Sequence, residues 1–424
     1  MPVDGRDIRP GWPSPRFSHN QSRPRNLMPA LQLPKGATHH HLIAGLHNAG
    51  VLGETNWTKL AIHAPEDFFI STAAIAFLAA WGKKQVQDGR RIEFFGSRRD
   101  LNYLSRLNLF QYLDFNSYAE QFERQPEAGR FTPNLLVEDE DSVMRASNAI
   151  CDLVLSQFDN AREFLPAMEW SVYEIVDNIR LHSETLAPGV VVAQYYPQRT
   201  RLDIAICDTG RGIFESLSQS RKLWSHGDAI TKALQRGVTR DPEVGQGNGL
   251  AGSLEIVKSN GGGFEVWTGN ANFRVIRGEE KGFTPLPEVR GTGVFLQLDT
   301  RHPVDLESTF IGDTGWSYIN AIAEQVLEEG SIRITEHCHH AASRETAAPL
   351  RRKIEAMLPE MAEALTLDFS GVEMASSSFL DELLGRLVKG LGQQRFAQKV
   401  RIVNLEQSLA AMANVVIAQR LESG

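Results

Sequence analysis

Glu174 and Asn178 lie four residues apart in the run Tyr173-Glu174-Ile175-Val176-Asp177-Asn178-Ile179-Arg180-Leu181-His182-Ser183-Glu184. The run is compatible with a helix, so both side chains project from one face. A carboxylate so placed can accept a proton, and a carboxamide can ligate a hard cation. The same pair is also ordinary on a solvated helix face. Three glycine-bearing segments downstream turn the coincidence into a candidate site.

The first is Asp208-Thr209-Gly210-Arg211-Gly212-Ile213, at the end of an apolar run holding Ile204, Ala205 and Ile206. An acid at a strand end can reach the exocyclic amine of a base while the glycines after it let the backbone turn sharply. Alone, this segment reads as a tight turn with an exposed Asp. The second, Gly245-Gln246-Gly247-Asn248-Gly249-Leu250, opens a helix expected to reach Asn260. Glycines there let backbone N–H groups approach an anion, and a helix N-terminus adds favourable potential. A dinucleotide fingerprint is disfavoured because these glycines follow a loop and not a short strand. The third, Gly291-Thr292-Gly293-Val294-Phe295, starts a strand and places a hydroxyl where it can support the same base.

In order and rough spacing, Glu174/Asn178, Asp208-x-Gly210-x-Gly212, Gly245-x-Gly247-x-Gly249 and Gly291-Thr292 resemble the four boxes of the GHKL ATPase superfamily. That superfamily includes gyrase B, Hsp90, MutL and the histidine kinases, and the resemblance covers residues 142–299. It implies that Asn178 ligates the Mg²⁺ bridging the phosphates of ATP. It implies that Asp208 binds the adenine amine, with Thr292 supporting it through water. Gly210 and Gly212 would shape the adenine pocket, and Gly245, Gly247 and Gly249 would line the phosphates, with Leu250 in the same ATP-binding set. Residues 214–244 would be the lid. Glu174 would be the catalytic general base, orienting a water or a substrate hydroxyl toward the γ-phosphate. Arg180, Lys232 and Lys258 are nearby basic residues that read as solvated surface. No upstream histidine resembles the phosphoacceptor of histidine kinases. The ending Asn178-x-x-x-His182 instead resembles the anti-sigma-factor serine kinases, which phosphorylate a serine on a partner of the STAS fold.

The stretch Leu367-Asp368-Phe369-Ser370-Gly371-Val372-Glu373-Met374-Ala375-Ser376-Ser377-Ser378-Phe379-Leu380-Asp381-Glu382 resembles that STAS pattern: an apolar strand reaches an Asp, a short turn follows, and serines start a helix. Ser377 and Ser378 are thereby candidate phosphoacceptors. Ser376 and Phe379 stand where regulatory STAS proteins carry Asp and Gly, and Ser378 with Asp381 also reads as a helix cap alone. The first third of the chain more faintly resembles the same type, with Ser71-Thr72 opening its helix.

These residues must be positioned by an alternation of strands and helices. Before residue 142 the pattern predicts strands at 60–62 and 91–95 and helices at 70–84 and 101–113. The centre is expected to hold helices at 142–158, 165–183 and 250–260, with strands at 190–196, 202–208, 264–268 and 293–298. The last third reads as strands at 332–335, 365–369 and 400–403 with helices at 318–329, 347–364, 378–391 and 405–421. The expected fold class is α/β: an α+β two-layer sandwich of the GHKL type flanked by two small α/β STAS-like domains. The divisions are a basic, proline-rich arm over 1–35, domains at 36–135 and 142–299, a linker at 300–316 and a last domain at 317–424. Similar element order at the two ends suggests a coarse repeat.

Composition narrows the class further. A net charge of −8 argues against general nucleic-acid affinity. The longest apolar stretch, residues 68–81, is too short to span a bilayer. The three cysteines fit a reducing compartment, so a cytoplasmic address is expected. Glu336-His337-Cys338-His339-His340 carries metal-binding residue types, but adjacent residues converge poorly on one ion and no second cluster has matching spacing; His39-His40-His41 reads as a polar loop and not a ligand set. The function expected is an ATP/Mg²⁺-dependent, serine-kinase-like switch acting on a STAS-like domain in cis or in trans, through a protein partner or self-association. The alternatives are a slow ATPase and a nucleotide-gated binding module.

Overall fold

The computed structural model describes residues 29–53, 56–113, 129–158, 161–183, 187–235, 238, 249–306, 309, 330–338, 341, 344–359, 361 and 364–422. The fold is α/β, with helices set on several small sheets. The expected arm residues 1–28 and the helix expected at 318–329 lie outside the described residues.

The central sheet has five antiparallel strands in the order β6-β7-β8-β10-β9. They are β6 (Leu135–Val137), β7 (Gly189–Tyr196), β8 (Arg201–Cys207), β9 (Gly263–Ile276) and β10 (Glu279–Asp299). Strands β7 and β8 are apolar on both faces, and the period-2 alternation explains why. Val191, Ala193, Leu202, Ile204 and Ile206 enter the core beneath the helices Glu140–Gln157, Ala161–His182 and Gly249–Asn260. Val190, Val192, Ala205 and Cys207 enter a second core formed with the N-terminal part of the chain. The central sheet is therefore covered on both sides.

Strands β9 and β10 run far beyond the short closing strands expected at 264–268 and 293–298. A two-residue turn at Arg277 (φ 53°) and Gly278 (φ 75°) joins them, the positive φ pair of a tight hairpin. Register shifts between Pro285, Val289 and Thr292 interrupt the alternation that would have revealed the longer strand. The acidic residues before the central unit start a helix: Asp139 caps Glu140–Gln157 by accepting from Ser142 N at 2.8 Å.

The N-terminal unit is a parallel sheet of β1 (Ala30–Gln32), β3 (Lys59–His63) and β5 (Arg91–Phe95), with a small pair β2 (Gly36–Ala37) and β4 (Phe69–Ile70). Strand β1 lies inside the stretch read as an arm. The helix Thr72–Gln87 buries residues all round, from Ala73 to Gly82 without a gap, because it lies between this sheet and the central one. Each Ile, Leu or Phe so buried contributes about 1.5–3 kcal/mol. The single helix expected at 101–113 breaks at Asn108, which is left-handed at φ 58°, giving Arg98–Arg106 and Leu109–Tyr112.

The C-terminal unit is a second parallel three-stranded sheet, β11 (Ser331–Arg333), β12 (Leu365–Asp368) and β13 (Val400–Val403). The strand expected at 332–335 is shorter, since Ile334–His337 turns helical. The helix expected at 378–391 begins at Ser377 and passes through a π-helical turn, Asp381–Gly385, before Arg386–Leu391. The helices Arg344–Met357 and Gln407–Glu422 cover this sheet. Cys151, Cys207 and Cys338 are buried free thiols.

Candidate functional site

The helix Ala161–His182 carries two stripes. Met168, Val172, Ile175, Val176 and Ile179 face the central core, while Ala167 and Trp170 belong to the core of the C-terminal unit. Glu174 and Asn178 continue the second stripe at helical spacing, so they stand where the two units meet. The start of the helix Gly249–Asn260 closes the same spot. A Cβ on Gly249 would lie 2.9 Å from Glu174 Oε2 and 3.4 Å from Asn178 Nδ2, so a side chain there would press on both. The Glu174/Asn178 pair and the second glycine segment are thus adjacent. Gly245 and Gly247 lie outside the described residues; Leu250, which follows Gly249, packs against the central core.

Asp208 directly follows β8, beside the C-terminus of the helix Ala161–His182. Its Oδ1 accepts from Gly210 N at 2.7 Å, and its backbone N–H donates to Thr292 O at 2.9 Å. Arg211 N donates to Ser183 O at 3.0 Å, tying this turn to the residue that follows the helix. Gly291 is the tightest point: its φ is +87°, and a Cβ would fall 2.0 Å from Asp208 O. Thr268 holds the floor, donating through Oγ1 to Gly291 O at 2.8 Å and accepting from Ile213 N at 3.3 Å. Gly212 packs on that hydroxyl. Asp208, Gly210, Gly212 and Thr292 therefore share one corner. Burial pushes the Asp208 carboxyl up to about 6, against the hydrogen bonds from Gly210 and Thr292.

The C-terminal unit supplies the remaining wall. Ser377 is buried, and its Oγ donates to Glu174 Oε1. Ser376 is the helix cap, its Oγ accepting from Phe379 N at 2.9 Å, so the cap expected from Ser378 and Asp381 falls to Ser376. Ser378 Oγ lies 3.1 Å from Ser376 Oγ. One turn after Ser377, Asp381 is bound by Arg344 Nη2 at 2.9 Å and by Arg420. Glu382 pairs with Arg344 (3.4 Å), Arg351 (3.0 Å) and Arg386 (2.8 Å). Burial pushes the Glu174 carboxyl up to about 8; Asp177 and Asp381 add to the rise and Arg344 opposes it. Before the helix, Asp368 accepts from Ser370 N at 2.9 Å and Asn404 Nδ2 at 2.8 Å and fixes the turn after β12.

Residues 346–410 match the STAS-like domain of unknown function (DUF4325). The STAS-like unit so defined contains Ser377, Asp381 and Glu382, and its matched span begins within the helix Arg344–Met357. No match to a GHKL or kinase family was found, and no curated protein matches the chain. Among the described residues no helix is long and apolar enough to cross a membrane.

Two of the basic residues read as surface are engaged in ion pairs, Arg180 with Asp177 at 2.9 Å and Lys258 with Glu280; Lys232 closes the helix His226–Ala233. Sequence reasoning missed Thr268, Arg344 and Ser183, which act through neighbours brought close only by the fold. The reading of His39-His40-His41 as a polar loop is corrected: these residues open the helix His39–Asn48, and His39 is buried. Cys338 closes the helix Ile334–His337, with its Sγ 3.5 Å from Thr346 O.

Proposed function

We propose that the chain is an ATP- and Mg²⁺-dependent switch in which the central unit, of the GHKL type, transfers a phosphoryl group to Ser377 of its own STAS-like unit. The hydrogen bond from Ser377 Oγ to Glu174 Oε1 carries this reading, because it joins the candidate acceptor to the candidate base. Asp208 would accept the adenine amine, with Thr292 beside it, and Asn178 would hold Mg²⁺. When bound, the ion neutralises charge on the phosphates.

In the step itself, Glu174 takes the proton of the Ser377 hydroxyl as that oxygen bonds to the γ-phosphorus. The bond from γ-phosphorus to its bridging oxygen breaks, and ADP leaves with the electron pair. A carboxyl raised to about 8 is a stronger base than an ordinary carboxylate, and the transfer draws on its ionised form, which grows as pH rises toward 8. Burial of Ser377 favours transfer in cis over a partner's serine, since the position is already occupied from within the chain.

Incubation with γ-labelled ATP and Mg²⁺ tests the reading. The expected result is label retained on the protein, lowered about a hundredfold or more by Glu174→Gln, with nucleotide binding by calorimetry preserved. Free phosphate without labelled protein would make the chain an ATPase. Neither product, with binding intact, would make it a nucleotide-gated binding module. Asp208→Asn is expected to weaken the binding itself.

A further inference from the structure

Far from Glu174, the helix His39–Asn48 lies against the opposite face of the central sheet, and three ligand-type side chains meet there. His39, His40 and Glu265 bring one ligand atom each to within 4.8 Å of one another. Glu265 Oε1 is 2.7 Å from His40 Nε2 and 3.5 Å from His39 Nε2. Tetrahedral zinc bonds of about 2.0–2.1 Å place neighbouring ligand atoms about 3.3 Å apart, between these two values. We propose that His39, His40 and Glu265 form a zinc site that fastens the N-terminal unit to the central sheet.

Two buried atoms at this spot have no hydrogen-bond partner. His39 is 3% exposed, yet its Nε2 makes no hydrogen bond although it faces the carboxylate. Asn272 is fully buried; its Nδ2 donates to Glu265 Oε1 at 2.7 Å and to Thr284 Oγ1 at 3.1 Å, while its Oδ1 is unpartnered. A buried polar atom left unpaired is destabilising, and a cation between the imidazole nitrogens and the carboxylate would give His39 a partner.

Arg274 is the competitor. Its Nε lies 3.3 Å from Glu265 Oε1, and its side chain is 37% exposed, which leaves it room to swing into solvent when an ion enters. His39 also stacks on Trp267, ring centroids 4.1 Å apart, so an open-shell ion bound there would quench that indole.

The inference does not depend on nucleotide binding, so each can fail without the other. The full chain, stripped of metal, is titrated with Zn²⁺ by calorimetry and with Co²⁺ by absorption and tryptophan fluorescence. About one ion per chain is expected, with tetrahedral Co²⁺ bands, quenching, and a rise in melting temperature with ion concentration. His40→Gln, at a partly exposed position, and Glu265→Gln should each lower the affinity at least tenfold, and Arg274→Gln should raise it. His337→Gln should leave it unchanged. No uptake by the folded wild-type chain would overturn the proposal, as would uptake that survives both His40→Gln and Glu265→Gln.

Discussion

The two flanking units share a plan and differ in what they deliver. Each has a parallel three-stranded sheet in chain order, and in each a serine caps the helix after a strand. Ser71 Oγ accepts from Ala74 N as Ser376 Oγ accepts from Phe379 N. The next residue carries the buried hydroxyl that faces the central unit. In the N-terminal unit it is Thr72, whose Oγ1 lies 3.4 Å from Gln194 Oε1 and from Tyr196 OH on β7. In the C-terminal unit it is Ser377, which meets Glu174. Four residues further on, the first unit has the buried Ala76 and the second has Asp381 between arginines. One architecture thus serves as a lid over a sheet in one case and as a hydroxyl donor to an acid in the other.

That contrast can be broken in several places, and the largest effect belongs to Asp381. Asp381→Ala would remove the carboxylate that Arg344 and Arg420 share at a mostly buried position and should destabilise the chain by about 3–5 kcal/mol, read by denaturant unfolding. The matching substitution Ala76→Gly should cost about 1 kcal/mol, through helix propensity.

Next comes pH. Glu174 has a folded pKa of about 8, above its ordinary value of 4.5, so the folded state holds the proton more tightly. Its contribution to stability is fully present below about 4.5 and is lost as pH rises through 8. Glu174→Gln should therefore flatten the melting temperature over that interval, while Thr72→Val should leave its slope alone. A wild-type slope that Glu174→Gln preserves would show that another group carries it.

The smallest effects are the caps. Ser71→Ala and Ser376→Ala should each cost about 1 kcal/mol. Only Ser376→Ala is expected also to slow protein labelling, because its cap positions Ser377 one residue on. Equal labelling in both variants would remove the functional half of the comparison.

Much of the local structure was legible. Strands 91–95 and 400–403 appear at their expected bounds, and β7, β8 and the helix Gly249–Asn260 within a residue, because their periodicity was clean. The doubled covering of the central sheet was harder to see. An uninterrupted apolar strand such as Val190-Val191-Val192-Ala193 is apolar on both faces, which says that something covers the second face but not what. The candidate site was legible where residues are near in sequence, as in Glu174 and Asn178 or Asp208 and Gly210. It was illegible where the partner is remote: Thr268 under Gly291, Arg344 on Asp381, and Glu265 beside His39, which lies 226 residues earlier. The histidines alone offered no convergent set; the carboxylate that meets His39 and His40 stands on another unit's strand.

Mapping where phosphate goes is the direct test of the central claim. Wild-type, Ser377→Ala and Thr72→Val chains are incubated with ATP and Mg²⁺, digested, and their phosphopeptides sequenced by mass spectrometry. Phosphate is expected on Ser377 in the wild type and in Thr72→Val, and on no serine of that peptide in Ser377→Ala. A wild-type chain that binds nucleotide yet carries no phosphate on Ser377, or carries it on Ser378 instead, would contradict the account.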